Sequence, residues 1–445
     1  MLKLFLWLKN LRRKKIVLLS VTAVALACGL LIVVASIFNS FITAVENSAA
    51  TVLGDVMIRP PARFSDYDKL ITNLKTLPQV ESATAVLQSS GLIHLGTGNV
   101  RAVSVWGIDP VGRSDVTGFK SALLLQKQKE NKPDFKTDSN YPGAYVGIAV
   151  ITEPNDITDQ YDFASASKFI GSRVVLTTGT VEQQTAQTAS QKKLKPRVIG
   201  FELKDIVFTG VYILDSKFVY VPIDVLSAKL YPGQPTSADM IQIKLRSGYD
   251  PDAAIPAIRG SFDDFAQKNL GWGGYLLSAT DVKTAQEEQR AYIAELRKQM
   301  AMLLVIFGAA SLGAILLIFC IFYMIVVSRQ RDIAILKSCG ASSFSVASTF
   351  VGYGLSIGVV GSLLGLALGW YFLLNINSVE HLIAQLFGLK IWKSSVYLFS
   401  TIPNDLNLPA AVWIMIAATL ASAIGALLPA FAAARVRPVK ILRYE

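Results

Sequence analysis

Little in this 445-residue chain could do covalent chemistry. Its two histidines, His94 and His381, fall in unrelated stretches, and Cys28, Cys320 and Cys339 do not accompany them at ligand spacing. A metal centre built on clustered nitrogen and sulfur donors is therefore not expected. There is no G-x-x-x-x-G-K-[ST] loop to cradle a nucleotide phosphate and no G-x-S-x-G turn to present a serine nucleophile. No catalytic, cofactor-binding or metal residue is assigned. The stretch whose spacing suggests a role is Arg329–Phe350, RQRDIAILKSCGASSFSVASTF. Ile333 and Leu336 lie at helical spacing, with Ile335 beside them and Arg329, Arg331, Asp332 and Lys337 around them. Gly340 supplies a left-handed stop, and Ser342 or Ser343 can cap the helix that follows. A short amphipathic helix tied to elements on both sides has the shape to enter a partner's groove. A solvated turn carrying positive charge is the plainer alternative.

The elements that must position this segment are membrane spans. The chain is 52% hydrophobic, and four runs, about Ile16–Phe41, Ala301–Val327, Thr349–Leu374 and Pro409–Ala434, hold no Asp, Glu, Lys or Arg. Each exceeds the roughly 20 residues that a helix needs to cross the hydrocarbon. ALAC ending at Cys28 looks like a lipoprotein signal, but the apolar run continues past it, so an uncleaved anchor is expected. Basic residues gather at the span ends. Residues 1–15 carry six Lys or Arg, the 329–350 segment carries Arg329, Arg331 and Lys337, and the tail carries Arg435, Arg437, Lys440 and Arg443. These segments hold all of the chain's net charge of +11. The positive-inside rule then places both termini and the 329–345 segment in the cytoplasm and the long insert outside it. Charge confined to span ends also argues against a nucleic-acid partner.

The expected order is a cytoplasmic amphipathic leader (1–15), a first span (16–42) with a stalk to about residue 55, and an α+β domain (56–280). A stalk helix (281–300), the second span (301–328) and the cytoplasmic helix (329–345) follow. The third span (346–374), a short outer loop with an interfacial helix ending at Trp392 (375–408), the fourth span (409–434) and a cytoplasmic tail (435–445) complete it. Between Thr280 and Phe307 no Gly or Pro interrupts the helical pattern, which favours a rigid stalk over a helix lying on the bilayer. Period-two runs predict strands at Ala83–Leu95, Val100–Ile108, Arg173–Thr178, Val198–Ile213, Phe218–Val221 and Met240–Leu245; helical patterns fall at Asp66–Leu77, Ile223–Tyr231 and Asp252–Leu270. Thr180–Pro196 reads as a protruding polar hairpin. In the third span Gly354, Gly358, Gly361, Gly365 and Gly369 form one small-residue face for close helix packing.

The segment "basic, basic, acid, I, x, I, L, K, x, x, G, A, S" after a span resembles the coupling segment of FtsX/MacB-type ABC transporter permeases. The tail LLPAFAAARVRPVKILRYE is similar to that family's closing motif, and the topology of four spans with one large insert is also the family's. Within the insert, VSVWGIDP (Val103–Pro110) and FTGVYILDSKFVYVPIDVLSAKLY (Phe208–Tyr231) most resemble the LolC and LolE lipoprotein-release permeases. The resemblance implies a MacB-like periplasmic core domain, location in the bacterial inner membrane, and pairing with a second permease chain, identical or related. It also implies a separate cytoplasmic ABC ATPase dimer that holds ATP and Mg, leaving this chain without enzymatic activity of its own. A periplasmic chaperone or adaptor is a further implied partner. The Thr180–Pro196 hairpin stands where that family's chaperone hook lies, with Gln, Thr and Lys in place of Pro and apolar residues. Asn155–Phe169 is longer than the family pattern.

On this reading ATP binding moves the coupling helix, formed by Arg329, Arg331, Asp332, Ile333, Ile335, Leu336, Lys337 and Gly340. The stalk then carries the motion to the exported domain, which expels a lipoprotein or similar amphipathic cargo. Candidate cargo contacts are Ile32, Ser36, Phe38 and Phe41 on the first span and Met302, Leu303 and Ile306 on the second; ordinary helix packing is the competing role for each. Export of a glycolipid or macrolide, signalling to periplasmic enzymes, and a scaffold without any ATPase are the alternatives.

Overall fold

The computed structural model describes residues 15–96, 98–128, 130–155, 158–182, 193–328, 330–388 and 390–435. The leader, the tip of the Thr180–Pro196 hairpin, Arg329 and most of the tail lie outside the described residues. Helix α1 (Lys15–Leu53) runs unbroken from the first apolar segment into the insert. The insert then alternates strands and short helices. In order these are β1 (Val56–Arg59), α2 (Tyr67–Lys75), β2 (Val80–His94), β3 (Val100–Ile108), α3 (Pro110–Val116), β4 (Gly143–Gly147), β5 (Arg173–Glu182) and β6 (Lys193–Val207). They continue with α4 (Tyr212–Lys217), β7 (Phe218–Pro222), α5 (Ile223–Leu230), β8 (Met240–Leu245), α6 (Pro251–Phe265) and β9 (Asp281–Thr284). Four longer helices follow: α7 (Ala285–Ser328), α8 (Gln330–Ser338), α9 (Ser343–Phe387) and α10 (Leu408–Ala434), with a single turn at Ser394–Tyr397 before the last. Helices α1, α7, α9 and α10 are long and apolar enough to cross a membrane.

The chain forms two compact units. One holds the helical spans; the other is built from Val45–Ile293 together with Glu380–Thr401. Among the described residues the second unit holds a mixed nine-stranded sheet in the order β3-β7-β4-β6-β5-β2-β8-β1-β9. Strand β2 also pairs with β3, so that β2, β3, β7, β4, β6 and β5 close into a ring. Long β2 does both jobs because its first half pairs with β8 and its second half with β3 and β5. Val56, Leu70, Ile241 and Phe262 are 0% exposed in the apolar core. Local caps fix the helices: Asp109 accepts from Val111 N and Gly112 N ahead of Pro110 in α3, and Asp250 does the same for Asp252 N before Pro251 in α6.

Three expectations need correction. The strand expected at Val198–Ile213 stops at Val207, because the Asp215 carboxylate gathers Thr209 N and Gly210 N and turns the chain into α4. The stalk helix expected from residue 281 begins at Ala285, since Asp281–Thr284 pairs with β1 as the last strand of the sheet. Thr284 and Glu287 then form a capping box, with Glu287 N donating to Thr284 Oγ1 at 3.1 Å and Thr284 N to Glu287 Oε2 at 3.4 Å. Finally, 375–387 is no separate interfacial helix. It continues α9, because no Gly or Pro intervenes between Gly369 and Gly388.

Candidate functional site

Helix α8 follows directly on α7, and its sequence buries one side while presenting the other. Ile333 (4% exposed) and Ala334 (0%) point inward, and Ile333 packs in a cluster with Val326, Val346, Phe350, Ala430 and Ala433. Lys337 Nζ donates to the Ala434 carbonyl at 2.8 Å, a cation satisfying the orphan carbonyl at the end of α10. Gly340 takes φ +96, a conformation that a side chain disfavours, and lets α8 turn into α9. Ser342 Oγ accepts from Ser345 N at 3.1 Å and so caps α9. Ile335 stays 52% exposed, Arg331 is exposed as well, and Phe344, at the start of α9, is 82% exposed. Arg329 and the side chains of Asp332 and Leu336 lie outside the described residues. The segment is thus a braced platform with two large apolar side chains facing outward. Phe344 escaped the sequence reading, because one aromatic beside a serine cap has no periodicity to reveal it.

The glycine stripe of α9 serves two seams and not one. A Cβ at Gly354 would lie 2.6 Å from Ala426 Cβ, and one at Gly358 would lie 2.7 Å from Thr419 Cα, both on α10. Gly361, Gly365 and Gly369 instead face α1, where a Cβ at Gly365 would lie 2.7 Å from the Ala25 carbonyl. The step of three between Gly358 and Gly361 rotates the stripe from one neighbour to the other. Ser422 Oγ donates to the Gly354 carbonyl at 2.7 Å across the first seam.

The candidate cargo residues separate. Ile32 and Ser36 are 0% exposed and Phe41 8%. Ile32 packs with Cys28 and Ala411, and Ser36 Oγ accepts from Asn407 N at 3.2 Å. These three are interior to the bundle and unavailable to cargo. Lipid and neighbouring helices select the same apolar residues, so composition could not tell them apart. Phe38 and Leu303 are half-buried, whereas Met302 (64%) and Ile306 (60%) are exposed.

The segment after α9 forms a clamp within the inserted domain. Lys390 Nζ lies 3.8 Å from Glu380 Oε2 and donates to the Thr158 carbonyl at 2.8 Å, the two charged side chains being only 10% exposed. Asp159 Oδ2 accepts from Ser394 N at 2.7 Å, and Tyr212 N donates to the Leu398 carbonyl at 2.7 Å. Val211 and Phe399 form a β-bridge. Asp159 (φ +55) and Leu398 (φ +70) both hold left-handed backbone here, a strain that the surrounding bonds must sustain. Trp392, expected as an interfacial anchor, stacks on Tyr397 at 4.2 Å and donates Nε1 to the Phe399 carbonyl.

The turn that receives Leu398 rests on Asp215. Burial pushes its carboxyl up to about 6, against the opposing donors from Thr209 and Gly210. Burial likewise pushes Asp239 up to about 6; one of its oxygens accepts from Gln88 N and the other is buried without a partner. Both groups hold a proton more tightly folded than unfolded. The stability they contribute therefore grows as pH falls through 6 and is lost as pH rises through it. From pH 7 to pH 5 the expected gain is about 1 kcal/mol per group. Thermal unfolding of the chain in detergent should show it, and Asp215→Asn or Asp239→Asn should each flatten the profile.

This architecture defines a class: a four-span membrane protein with a large α+β domain inserted between the first and second spans. Residues 17–261, more than half of the chain, match the MacB-like periplasmic core domain, and residues 304–438 match the FtsX-like permease C-terminal family. The chain belongs to the FtsX/MacB-type ABC transporter permeases. Over its whole length it is 24% identical to the lipoprotein-releasing system transmembrane protein LolC of Neisseria meningitidis, covering 99% of that protein. Over 122 residues it is 36% identical to LolC of Xylella fastidiosa, a match taking in 27% of this chain and 30% of the relative's length. Among solved structures it is similar to the periplasmic region of MacB from Actinobacillus actinomycetemcomitans. That likeness has a TM-score of 0.33 and 12% identity, covering 56% of this chain and 97% of the other.

Proposed function

We propose that this chain is the permease subunit of an ATP-driven mechanical transporter in a bacterial inner membrane, with both termini in the cytoplasm. It works with a second permease chain and releases lipoprotein or a similar amphipathic cargo from the outer face. Lipoprotein release, the function that both LolC relatives carry in their names, supports that cargo class. ATP and Mg are held by a separate ABC ATPase dimer docked on the Arg331–Phe344 segment. The observation that carries this is the braced platform: exposed Ile335 and Phe344 on a segment locked by Ile333 burial and by the bond from Lys337 to Ala434. Apolar side chains held rigidly at a surface lose little entropy on entering a groove, and motion imposed on them reaches the spans without slack. ATP can shift the permease only through contacts that differ between its two states, and this is where such contacts would form.

Ile335→Asp combined with Phe344→Asp is expected to leave the chain in the membrane at normal abundance while reducing co-purified ATPase at least about tenfold, since two buried apolar contacts at an interface are worth more than about 1.4 kcal/mol. Undiminished co-purification would sink the docking assignment. Mass spectrometry of acylated proteins and lipids retained by the purified complex separates lipoprotein from glycolipid or macrolide cargo. Absence of any retained amphipath would favour signalling to envelope enzymes.

A further inference from the structure

We propose that a cavity beside Arg113 in the inserted domain binds a small oxyanion of the carboxylate, phosphate or sulfate class. Arg113 lies on α3 and is 2% exposed. Its Nη1 donates to Gln242 Oε1 at 2.9 Å and its Nη2 to the Val52 carbonyl at 3.3 Å; Nε is buried without a partner. A guanidinium carries five N–H donors, and even with a further side-chain hydrogen bond to Tyr220 the fork is not filled. Among the described residues no carboxylate pairs with it. It is held among three rings, with its central carbon 4.8 Å from the Trp106 centroid, 5.1 Å from Tyr220 and 5.3 Å from Phe119.

Those faces attract the cation but leave its charge uncancelled, and a buried charge without a counter-charge is expensive. Beside it lies a cavity of about 150 Å³, whose wall combines the polar side chains of Arg113, Thr117, Ser121, Thr209 and Tyr220 with apolar ones such as Phe208. A liquid water occupies about 30 Å³, so the space suits a three- or four-oxygen anion with its last waters. The unused N–H groups of a planar fork match the oxygens of such an anion better than they match chloride. The Tyr220 ring lines the same space, and its hydroxyl can act as a donor there. The site lies at the end of α1, whose Val52 carbonyl also accepts from Gln242 Nε2 at 3.2 Å.

The test uses the full chain in detergent at constant pH and ionic strength, with sodium chloride replaced stepwise by phosphate, sulfate or acetate. The expected result is a saturable rise in unfolding temperature with at least one of the three, and one bound ion per chain by equilibrium dialysis with labelled phosphate or acetate. Which anion acts distinguishes a phosphate-like from a carboxylate ligand. Arg113→Met should abolish the response. Tyr220→Phe, which keeps the ring in place, should weaken it about tenfold, and it keeps the test decisive if Arg113→Met does not fold. A chain whose unfolding temperature is indifferent to all three anions, or whose response survives both substitutions, overturns the proposal and leaves Arg113 as a cap on α1.

Discussion

Gly358→Leu is expected to abolish accumulation of folded protein in the membrane, while Gly352→Ala on the same helix is expected to be tolerated or mildly stabilising. At position 358 a Cβ would lie 2.7 Å from Thr419 Cα and 3.0 Å from the Thr419 carbonyl. Both atoms are backbone, so no flexible side chain can yield, and α9 and α10 would have to separate. Separation breaks the bond from Ser422 Oγ to the Gly354 carbonyl and opens the contact at Ala426. In a bilayer that close approach is what holds the helices together, because hydrocarbon offers them no hydrophobic drive. Overpacking against rigid backbone should cost about 3 kcal/mol or more, a large share of a protein's net stability. Gly352 has nothing within 4 Å of its would-be Cβ, so alanine there gains up to about 1 kcal/mol of helix propensity. Detergent gel filtration and unfolding temperatures of the two variants check the contrast. Equal behaviour would mean that the α9–α10 seam is not close-packed.

What the residues disclosed follows from how local each signal is. Four uncharged runs of span length admit few readings, and period-two alternation marks Val100–Ile108 and Met240–Leu245 with the bounds that the strands take. Small residues four apart announce close packing on α9, yet nothing local says which neighbour a glycine faces, and the stripe divides between α10 and α1. The same blindness misplaces Ile32 and Ser36, which look as ready for cargo as Met302 and Ile306 but are fully enclosed. The platform on α8 is legible as an amphipathic segment. Its bracing is not, because Lys337 reaches a carbonyl 97 residues away. Arg113 sits in a short turn of helix with ordinary neighbours, and only the closed sheet reveals that its charge is buried.

The clamp is the feature furthest from any local pattern, and breaking it should produce the second large effect. Glu380→Gln and Lys390→Met are each expected to destabilise the inserted domain by about 3 kcal/mol, because either one strands a buried charge. The double substitution should cost clearly less than their sum, since it removes both charges together and leaves an apolar side chain beside an amide. The pair ties the end of α9 to Lys390, which is anchored in turn on the Thr158 carbonyl, while Asp159 holds Ser394 two residues beyond Trp392. Thr158 and Asp159 thus receive the segment that follows the third span. Under the proposed function the third span would then drive the inserted domain directly, in parallel with the helices α1 and α7. Asp159→Ala, which releases Ser394 N while leaving the ion pair intact, is accordingly expected to preserve ATPase co-purification but to lower cargo release several-fold, as measured with acylated substrate in reconstituted vesicles. Full release with the Asp159 contact removed would show that the α1 and α7 route suffices alone.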